Sequence, residues 1–262
     1  MSEKGGLERF KKAKEHEIES LISLGEESLR ARVKVSRPDF LKALKTGKNL
    51  RGLAVIAEYK RASPSLGEIH LGLSPEEVLK SYVNADAISV LTEEKYFQGS
   101  LEFLSRMDSK IPLLRKDFIS HPFQVLETAG TCAAAILFIV RLTPDPQFLQ
   151  RLITLADSCG LASVVEVFEK QELHIAREAQ AKIIQVNARD LETLKLDLNS
   201  SLRFIEDNLP LEHEFWISAS GIQNGSDLKR IRASGYGGAL VGTALMKDGN
   251  PQAALLKMLN EL

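Results

Sequence analysis

The sequence Val55-Ile-Ala-Glu-Tyr-Lys-Arg-Ala-Ser-Pro-Ser-Leu-Gly67 begins as an apolar run and then carries an acid and a base. A strand that only filled a core would need neither charge, so the pattern predicts a strand with chemistry at its carboxyl end. Because side chains alternate between the two faces of a strand, Glu58 and Lys60 share one face. We expect this pair to lie in the functional site.

Seven more apolar stretches of strand length follow, and helical patterns separate them. They cover residues 88–92, 112–118, 133–140, 162–168, 182–189, 214–220 and 238–243. Between the first two strands, Ser74 and Pro75 suit the cap and the first position of a helix. Apolar strands that alternate with helices are typical of a parallel sheet covered by helices. About eight such units at this length predict a closed α/β barrel, the (β/α)8 TIM barrel.

A doubly wound open sheet is the competing fold. It would favour a Gly-x-Gly-x-x-Gly turn after the first strand, which the sequence lacks. No linker rich in Pro, Gly or Ser divides the chain, so we expect a single domain over residues 1–262. A helical extension over 1–50 precedes the barrel over 51–262, and either covers an open end or supplies a lid residue. Within it, residues 37–44 predict a short helix with Pro38 near its start.

Composition argues against several classes of partner. Lys and Arg total 34 while Asp and Glu total 35, so no global field would gather nucleic acid or a membrane surface. Residues 1–20 lack the apolar core of a signal peptide, and no apolar run approaches the roughly 20 residues of a membrane span. We expect a soluble, cytoplasmic protein with Cys132 and Cys159 reduced and packed. No metal site is predicted, because metal-ligand spacing is absent around His70, His121, His174 and His213.

Polar residues end most of the predicted strands, and in a barrel of this type the site lies at those ends. They are Glu58, Lys60, Lys116, Glu166, Asn187, Arg189, Ser220, Gly242 and Thr243. Any one of them could simply be solvated or satisfy a loop. Two amines and two carboxylates that converge on one concave site would be costly unless they paired or did chemistry.

Two glycine-containing segments, Ser220-Gly221-Ile222 and Gly242-Thr243, end the last two strands. A short helix or turn after each would point backbone N–H groups into the mouth, which suits a phosphate group. The alternative is that these glycines only end strands and cap helices. Ser63, on the loop after the first strand, either adds a hydroxyl to the same anion or makes a turn.

Aromatic residues also follow strand ends. Phe97 and Phe118 either line a pocket for a flat ring or seal the top of the barrel, whereas Phe168 and Trp216 are expected to pack in the core or at the rim.

Several segments, taken together and in order, resemble one family. They are Glu58-Tyr-Lys-Arg-Ala-Ser-Pro-Ser65, Leu91-Thr-Glu-Glu-Lys-Tyr-Phe-Gln-Gly99, Leu114-Arg-Lys-Asp-Phe118, Glu166-Val167, Val186-Asn-Ala-Arg-Asp-Leu191 and Ser220-Gly-Ile222. The chain is similar in this respect to indole-3-glycerol phosphate synthases from about residue 8 to its end. The resemblance implies a barrel enzyme of tryptophan biosynthesis that closes the indole ring of a phosphorylated substrate, with no cofactor.

The resemblance also implies roles for individual residues. Lys116 would be the general acid and Lys60 would meet the substrate carboxylate. Glu166 would be the base or charge stabiliser, Glu58 would hold the amines, and Asn187 would orient the substrate hydroxyl or Glu166. Arg189 would support the site. The phosphate would be held by Ser63, Ser220, Gly221, Gly242 and Thr243.

Four positions depart from the family's usual pattern. Ala219 stands where a Glu is usual, and the others are Leu66 for Lys, Phe168 for His and Gln185 for Gly. Ala219 changes the charge balance around the two lysines, so a weakened homologue that binds an anthranilate-derived phosphate or a partner subunit stays an alternative. A related phosphate-binding barrel isomerase is another. We expect a monomer that could associate loosely with other enzymes of the pathway.

Overall fold

The computed structural model describes residues 6–34, 36–188 and 197–262, and eight parallel strands in it close into a barrel. Each strand pairs with the strands before and after it in the chain, and the last pairs with the first. The closed barrel confirms the predicted fold and excludes the open sheet. The strands are β1 Ala54–Tyr59, β2 Ala87–Leu91, β3 Leu113–Lys116, β4 Ala133–Ile139, β5 Ala162–Val167, β6 Ile183–Asn187, β7 Phe215–Ala219 and β8 Gly238–Val241.

Helices precede the barrel and alternate with its strands. They are α1 Gly6–Leu24, α2 Glu26–Arg30, α3 Phe40–Arg51, α4 Pro75–Ser81, α5 Glu102–Arg106, α6 Pro122–Ala129, α7 Pro146–Ser158, α8 Lys170–Glu178, α9 Leu198–Asp207, α10 Gly225–Ala233, α11 Thr243–Met246 and α12 Pro251–Glu261. A short antiparallel hairpin of Ala62–Ser63 with Gly67–Glu68 and a 3-10 turn at Val140–Leu142 were not predicted.

The ends of the helices follow from their cap residues. Ser74 accepts a hydrogen bond from the N–H of Glu77, whose side chain accepts one from the N–H of Ser74, which is the capping box expected before Pro75. α3 begins differently from the prediction, because Asp39 is its cap and Pro38 lies outside it. It is also longer than predicted and ends at Arg51, with Gly52 as its cap; the φ of 78° at Gly52 is readily adopted only by glycine.

Apolar residues form two clusters, one inside the barrel and one between the strands and the helices. Inside, Ile56, Leu137 and Leu240 are buried on alternating strand positions, while Val55 and Val90 face the helical layer. This double burial explains why the strands read as nearly continuous apolar runs.

Residues outside the site are mostly placed as expected. Cys132 and Cys159 are both free; Cys159 is buried, as expected for a packing residue, and Cys132 is only partly buried. Trp216 is buried in the core and Phe168 packs at its edge. Across the described ranges 6–34, 36–188 and 197–262, no helix is both long and apolar enough to span a bilayer.

The N-terminal helix α1 is attached to the barrel by a buried ion pair. The ammonium of Lys14, a residue 3% exposed, lies 2.8 Å from the carboxylate of Asp117, directly after β3. Glu17, one turn further along α1, accepts from Lys14 at 2.6 Å and from Arg115 at 3.2 Å. Thr92 donates to Asp117 at 2.6 Å. The extension is therefore fixed to the strand that carries Lys116.

Arg115 extends the same network towards α6. Its guanidinium is buried and contacts Asp117 at 3.1 Å and Glu127 at 2.8 Å. Burial opposes its charge, but Asp117 and Glu127 outweigh this and raise its pKa. Since Arg115 and Lys116 are consecutive in a strand, they point to opposite faces, one to the helices and one into the barrel.

Lys14→Met tests how much the buried pair contributes. Breaking a buried ion pair from one side leaves a charge without its partner, and we expect the free energy of unfolding to fall by about 3 kcal/mol. Urea denaturation measures it. Lys11→Met on the same helix is the matched control, because Lys11 pairs with Glu8 at 3.4 Å at the surface, where the cost should be below about 0.5 kcal/mol. Equal effects of the two substitutions would contradict the role given to Lys14.

The same pair predicts a pH dependence. Burial alone would raise the pKa of Asp117, but Lys14 and Arg115 hold it below its usual range. Desolvation alone would lower the pKa of Lys14, but Asp117 and Glu17 raise it above 10.5. Stability from the lowered carboxyl pKa is lost as pH falls through it, and stability from the raised ammonium pKa is lost as pH rises through it.

The difference in unfolding free energy between the wild type and Lys14→Met should thus be constant from about pH 5 to 9 and shrink below about pH 4. Urea titrations at several pH values give the profile. A difference that grew at acid pH would contradict the lowered pKa of Asp117.

Candidate active site

One pocket opens at the carboxyl ends of the barrel strands, and the predicted site residues gather in its wall. All the predicted residues that the structure describes line it, namely Glu58, Lys60, Ser63, Phe97, Lys116, Phe118, Glu166, Asn187, Ser220, Gly221, Gly242 and Thr243. Arg189 lies outside the described residues. The structure brings these side chains together, while their individual roles stay predictions.

The acid and base of the opening stretch form an ion pair. Glu58 Oε1 lies 2.9 Å from Lys60 Nζ, and the acid is the more deeply buried partner, with its side chain 3% exposed against 14% for Lys60. The carboxylate therefore lies towards the floor of the pocket and the ammonium towards its opening.

A second lysine and carboxylate face each other on other strands. Lys116 Nζ on β3 lies 3.6 Å from Glu166 Oε2 on β5, with side chains 17% and 1% exposed. Gln185 on β6 donates a short hydrogen bond to the same Oε2 atom. Each ammonium thus has one buried carboxylate beside it, and this balance reduces the cost of placing four charges in an apolar setting.

Gly242 leaves the room that the first pair occupies. A Cβ atom built on Gly242 would collide with the Glu58 carboxylate and would lie 3.2 Å from Lys60 Nζ. Sequence reasoning placed this glycine in a phosphate site and missed its steric role. No local sequence pattern could have shown this steric role, because Gly242 and Glu58 are far apart in sequence and meet only when β8 closes the barrel against β1.

The turn after β7 has an unusual backbone. Ser220 has φ 71° and Gly221 has φ 82°, so two consecutive residues adopt the left-handed conformation. This conformation is strained for serine, and strain of this kind concentrates at functional sites. After β8, Gly242 leads into the short helix α11. A strained turn after β7 and a short helix after β8 therefore follow the two strand ends, and their contact with a phosphate group stays a prediction.

Ser63 is buried in the hairpin that follows β1, and its hydroxyl accepts a hydrogen bond from the N–H of Leu66 at 3.3 Å. The turn-forming role is therefore observed. The predicted contact with an anion remains a prediction.

Aromatic side chains cover one side of the pocket, and one of them comes from the N-terminal helix. Phe10 on α1 lines the pocket and stacks on Phe118, with ring centroids 4.1 Å apart and an interplanar angle of 10°. Phe97 lies 6.2 Å from Phe118, centroid to centroid. Since Phe10 and Phe118 cover each other, a flat ligand ring cannot enter between them. Sequence reasoning raised the idea of a lid residue from the extension without identifying Phe10.

Glu93 orders the loop that carries Phe97. Its buried carboxylate accepts hydrogen bonds from the N–H groups of Lys95, Tyr96 and Phe97 at 2.9, 2.7 and 3.0 Å. Burial raises the pKa of Glu93, and these three donors oppose that rise. Sequence reasoning missed these three hydrogen bonds, because the only feature in the sequence that points to them is an acid next to a loop.

Potential metal ligands do not cluster in the described part of the chain, where no three His, Cys, Asp or Glu side chains lie close enough together to hold an ion. Asp117 lines the pocket, but its carboxylate binds Lys14 and Arg115.

The closed barrel and the charged pocket at its carboxyl rim define a (β/α)8-barrel enzyme. The family model for indole-3-glycerol phosphate synthase matches residues 7–258. The chain belongs to the indole-3-glycerol phosphate synthase family, which confirms the resemblance noted in its motifs.

Individual relatives agree with the family model. An indole-3-glycerol phosphate synthase from Aquifex aeolicus (strain VF5) is 44% identical over 225 residues, 84% of this chain and 85% of that protein. One from Opitutus terrae (strain DSM 11246 / JCM 15787 / PB90-1) is 40% identical over 254 residues, 92% of this chain and 94% of that protein. A crystal structure of 3-hexulose-6-phosphate synthase is similar in fold, with a TM-score of 0.63 at 16% identity, covering 80% of this chain and 100% of that one.

Gly242→Ala tests the steric role of this glycine. The added methyl group should displace the Glu58 carboxylate and lower the free energy of unfolding by about 1–3 kcal/mol. Urea denaturation measures the cost, and a crystal structure of the variant should show the Glu58–Lys60 pair separated. Gly72→Ala is the control, because its Cβ would meet only the ring of His70 at 3.3 Å. A variant with normal stability and an intact Glu58–Lys60 pair would contradict the collision.

Proposed function

We propose that the protein converts 1-(2-carboxyphenylamino)-1-deoxyribulose 5-phosphate to indole-3-glycerol phosphate with loss of carbon dioxide and water, a carboxy-lyase step of tryptophan biosynthesis. The observation that carries the proposal is the pocket with two lysine–carboxylate pairs in a member of this family. The substrate is a phosphorylated small molecule.

The first step of the proposed reaction forms the ring. A carbon of the substrate's aromatic ring attacks the ketone, and negative charge develops on the ketone oxygen. Lys116 donates a proton to that oxygen as the charge forms, which is how a positioned ammonium lowers the barrier. Its partial exposure to the pocket suits this role, since a ligand can reach the ammonium while the buried Glu166 carboxylate lies beside it at 3.6 Å.

The later steps remove carbon dioxide and water and need a second acid and a base. Lys60 meets the substrate carboxylate and acts as the acid that protonates the departing hydroxyl group. Glu166 accepts a proton or stabilises positive charge, and Glu58 holds the Lys60 ammonium in place at 2.9 Å. Two lysines, each beside its own acid, provide separate donors for the two proton transfers of one cycle.

The remaining residues bind the substrate in this proposal. Asn187 orients the substrate hydroxyl or Glu166, and Phe97 and Phe118 contact the aromatic ring. Arg189, which lies outside the described residues, supports the site. The phosphate binds at the strained turn after β7 and at the loops after β1 and β8, through Ser63, Ser220, Gly221, Gly242 and Thr243.

We further propose that the chain is one domain, with residues 1–50 as the helical extension and 51–262 as the barrel. We propose a cytoplasmic monomer, loosely associated at most with other enzymes of the pathway, that needs no cofactor and binds neither nucleic acid nor membranes.

One observation favours a second candidate, a homologue that binds the substrate but turns it over weakly. Ala219 lines the pocket with a methyl group where the family pattern usually has a carboxylate. The two lysine–carboxylate pairs balance in charge without that acid. Measured activity distinguishes the synthase from the weak homologue.

Incubation of the purified protein with the carboxyphenylamino substrate tests the function. We expect the indole fluorescence of the product to rise with time. Binding without any fluorescence between about pH 6 and 9 would refute the synthase and favour the second candidate.

Lys116→Ala tests the general acid. We expect kcat to fall by at least about 100-fold, the usual range for loss of such a group, while affinity for an analogue with the ketone reduced to an alcohol changes little. Lys110→Ala is the control, because Lys110 is an exposed residue in the loop before β3, outside the pocket lining. Turnover by Lys116→Ala near the wild-type rate would mean that another group donates the proton.

A further inference from the structure

Gln185 is a buried polar residue beneath the pocket. It is 0% exposed, faces the barrel interior from β6 and does not line the pocket itself. Its backbone is directly paired in register with that of Glu166 on β5, so the two side chains lie side by side.

The amide of Gln185 holds the carboxylate of Glu166. Its Nε2 group donates a short hydrogen bond to Oε2 of Glu166, the same atom that Lys116 Nζ approaches at 3.6 Å. Because 3.6 Å exceeds the normal length of a hydrogen bond, the closer of these two contacts comes from the neutral amide and not from the ammonium.

The carbonyl oxygen of the Gln185 amide lowers the stability of the fold. Among the described residues, Oε1 of Gln185 is buried and has no hydrogen-bond partner. A buried unpaired carbonyl destabilises a protein, and an apolar side chain of equal size would fill this place without it. Packing therefore does not account for a glutamine at this position, whereas the hydrogen bond to Glu166 does.

We propose that Gln185 is a positioning residue that fixes Glu166 in one orientation and leaves Lys116 directed at the substrate; the role in turnover rests on the proposed function. Without a second anchor, the Glu166 carboxylate would be free to turn towards Lys116 and close the gap between them. A direct hydrogen bond of that kind would compete with the lysine's contact to the ketone oxygen.

A neutral anchor suits the charges of this pocket. Glu58 and Glu166 balance Lys60 and Lys116, and Ala219 adds no charge. A cationic anchor for Glu166 would add a third positive charge beside the two ammonium groups, whereas an amide donates a hydrogen bond and leaves the balance unchanged.

Gln185→Met and Gln185→Leu remove the donor and keep most of the volume. Thermal unfolding first establishes that they are folded. We expect kcat to fall about tenfold, the size of one hydrogen bond to a charged group, with KM within about twofold. A purely structural role would lower stability and leave kcat of the folded fraction unchanged.

A double-mutant cycle with Glu166→Gln isolates the contact. If Gln185 acts through Glu166, Gln185→Met should have no further effect on kcat in the Glu166→Gln background. Ser89→Ala is the matched control, since Ser89 is equally buried in the barrel interior, its hydroxyl also has no partner among the described residues, and no hydrogen bond joins it to Glu166. It should leave kcat unchanged.

If the wild type, or Glu166→Gln, has no measurable turnover, the unfolding constants of the same four proteins in urea test the contact between Gln185 and Glu166. An inactive wild type refutes the proposed function alone. The contact is then supported if Gln185→Met changes the unfolding constant about tenfold more in the wild-type background than in the Glu166→Gln background. Additive effects in both measurements, or a kcat unchanged by both substitutions at Gln185, would overturn the positioning role.

Discussion

The buried carboxylate of Asp117 is the contact on which the arrangement of the site depends. It binds Lys14 from the N-terminal helix, Arg115 from its own strand and Thr92 from the neighbouring strand end. A carboxylate in this position would be unstable without such partners, since burial alone favours its neutral form. The partners make it a junction between the helical extension and the barrel. Lys116 directly precedes Asp117, so this junction also fixes the backbone of the lysine that faces Glu166.

In the pocket, buried carboxylates again pair with ammonium groups, but the ammonium groups of Lys60 and Lys116 are less buried than that of Lys14. Its carboxylates, Glu58 and Glu166, are almost completely buried, and its ammonium groups reach towards the opening. Each acid is held in the barrel interior beside a lysine that remains accessible to a ligand. Backbone geometry supports the arrangement, because β8 is followed by a glycine where any side chain would displace Glu58.

Patterns local in sequence predicted the fold and most of the pocket. Strand periodicity placed Glu58 with Lys60, and the common location of strand ends in a barrel brought Lys116, Glu166 and Asn187 to the same rim. What could not be predicted depends on residues distant in sequence. Phe10 enters the pocket because Lys14 fixes α1 against Asp117, a pairing that no spacing reveals. Gln185 departs from the family pattern, but its contact with Glu166 requires the register of β5 against β6.

The location of Phe10 has a consequence for how the protein is made. The pocket wall includes Phe10 from the first helix and Thr243 from the eleventh, so its parts are separated by nearly the whole chain. During synthesis the first helix emerges long before the last strand. This helix therefore docks only after its partners in the barrel have been synthesised, either in one step or in stages. The pocket is complete only after barrel closure and docking of the first helix. Catalytic competence should therefore appear as one of the last events of folding.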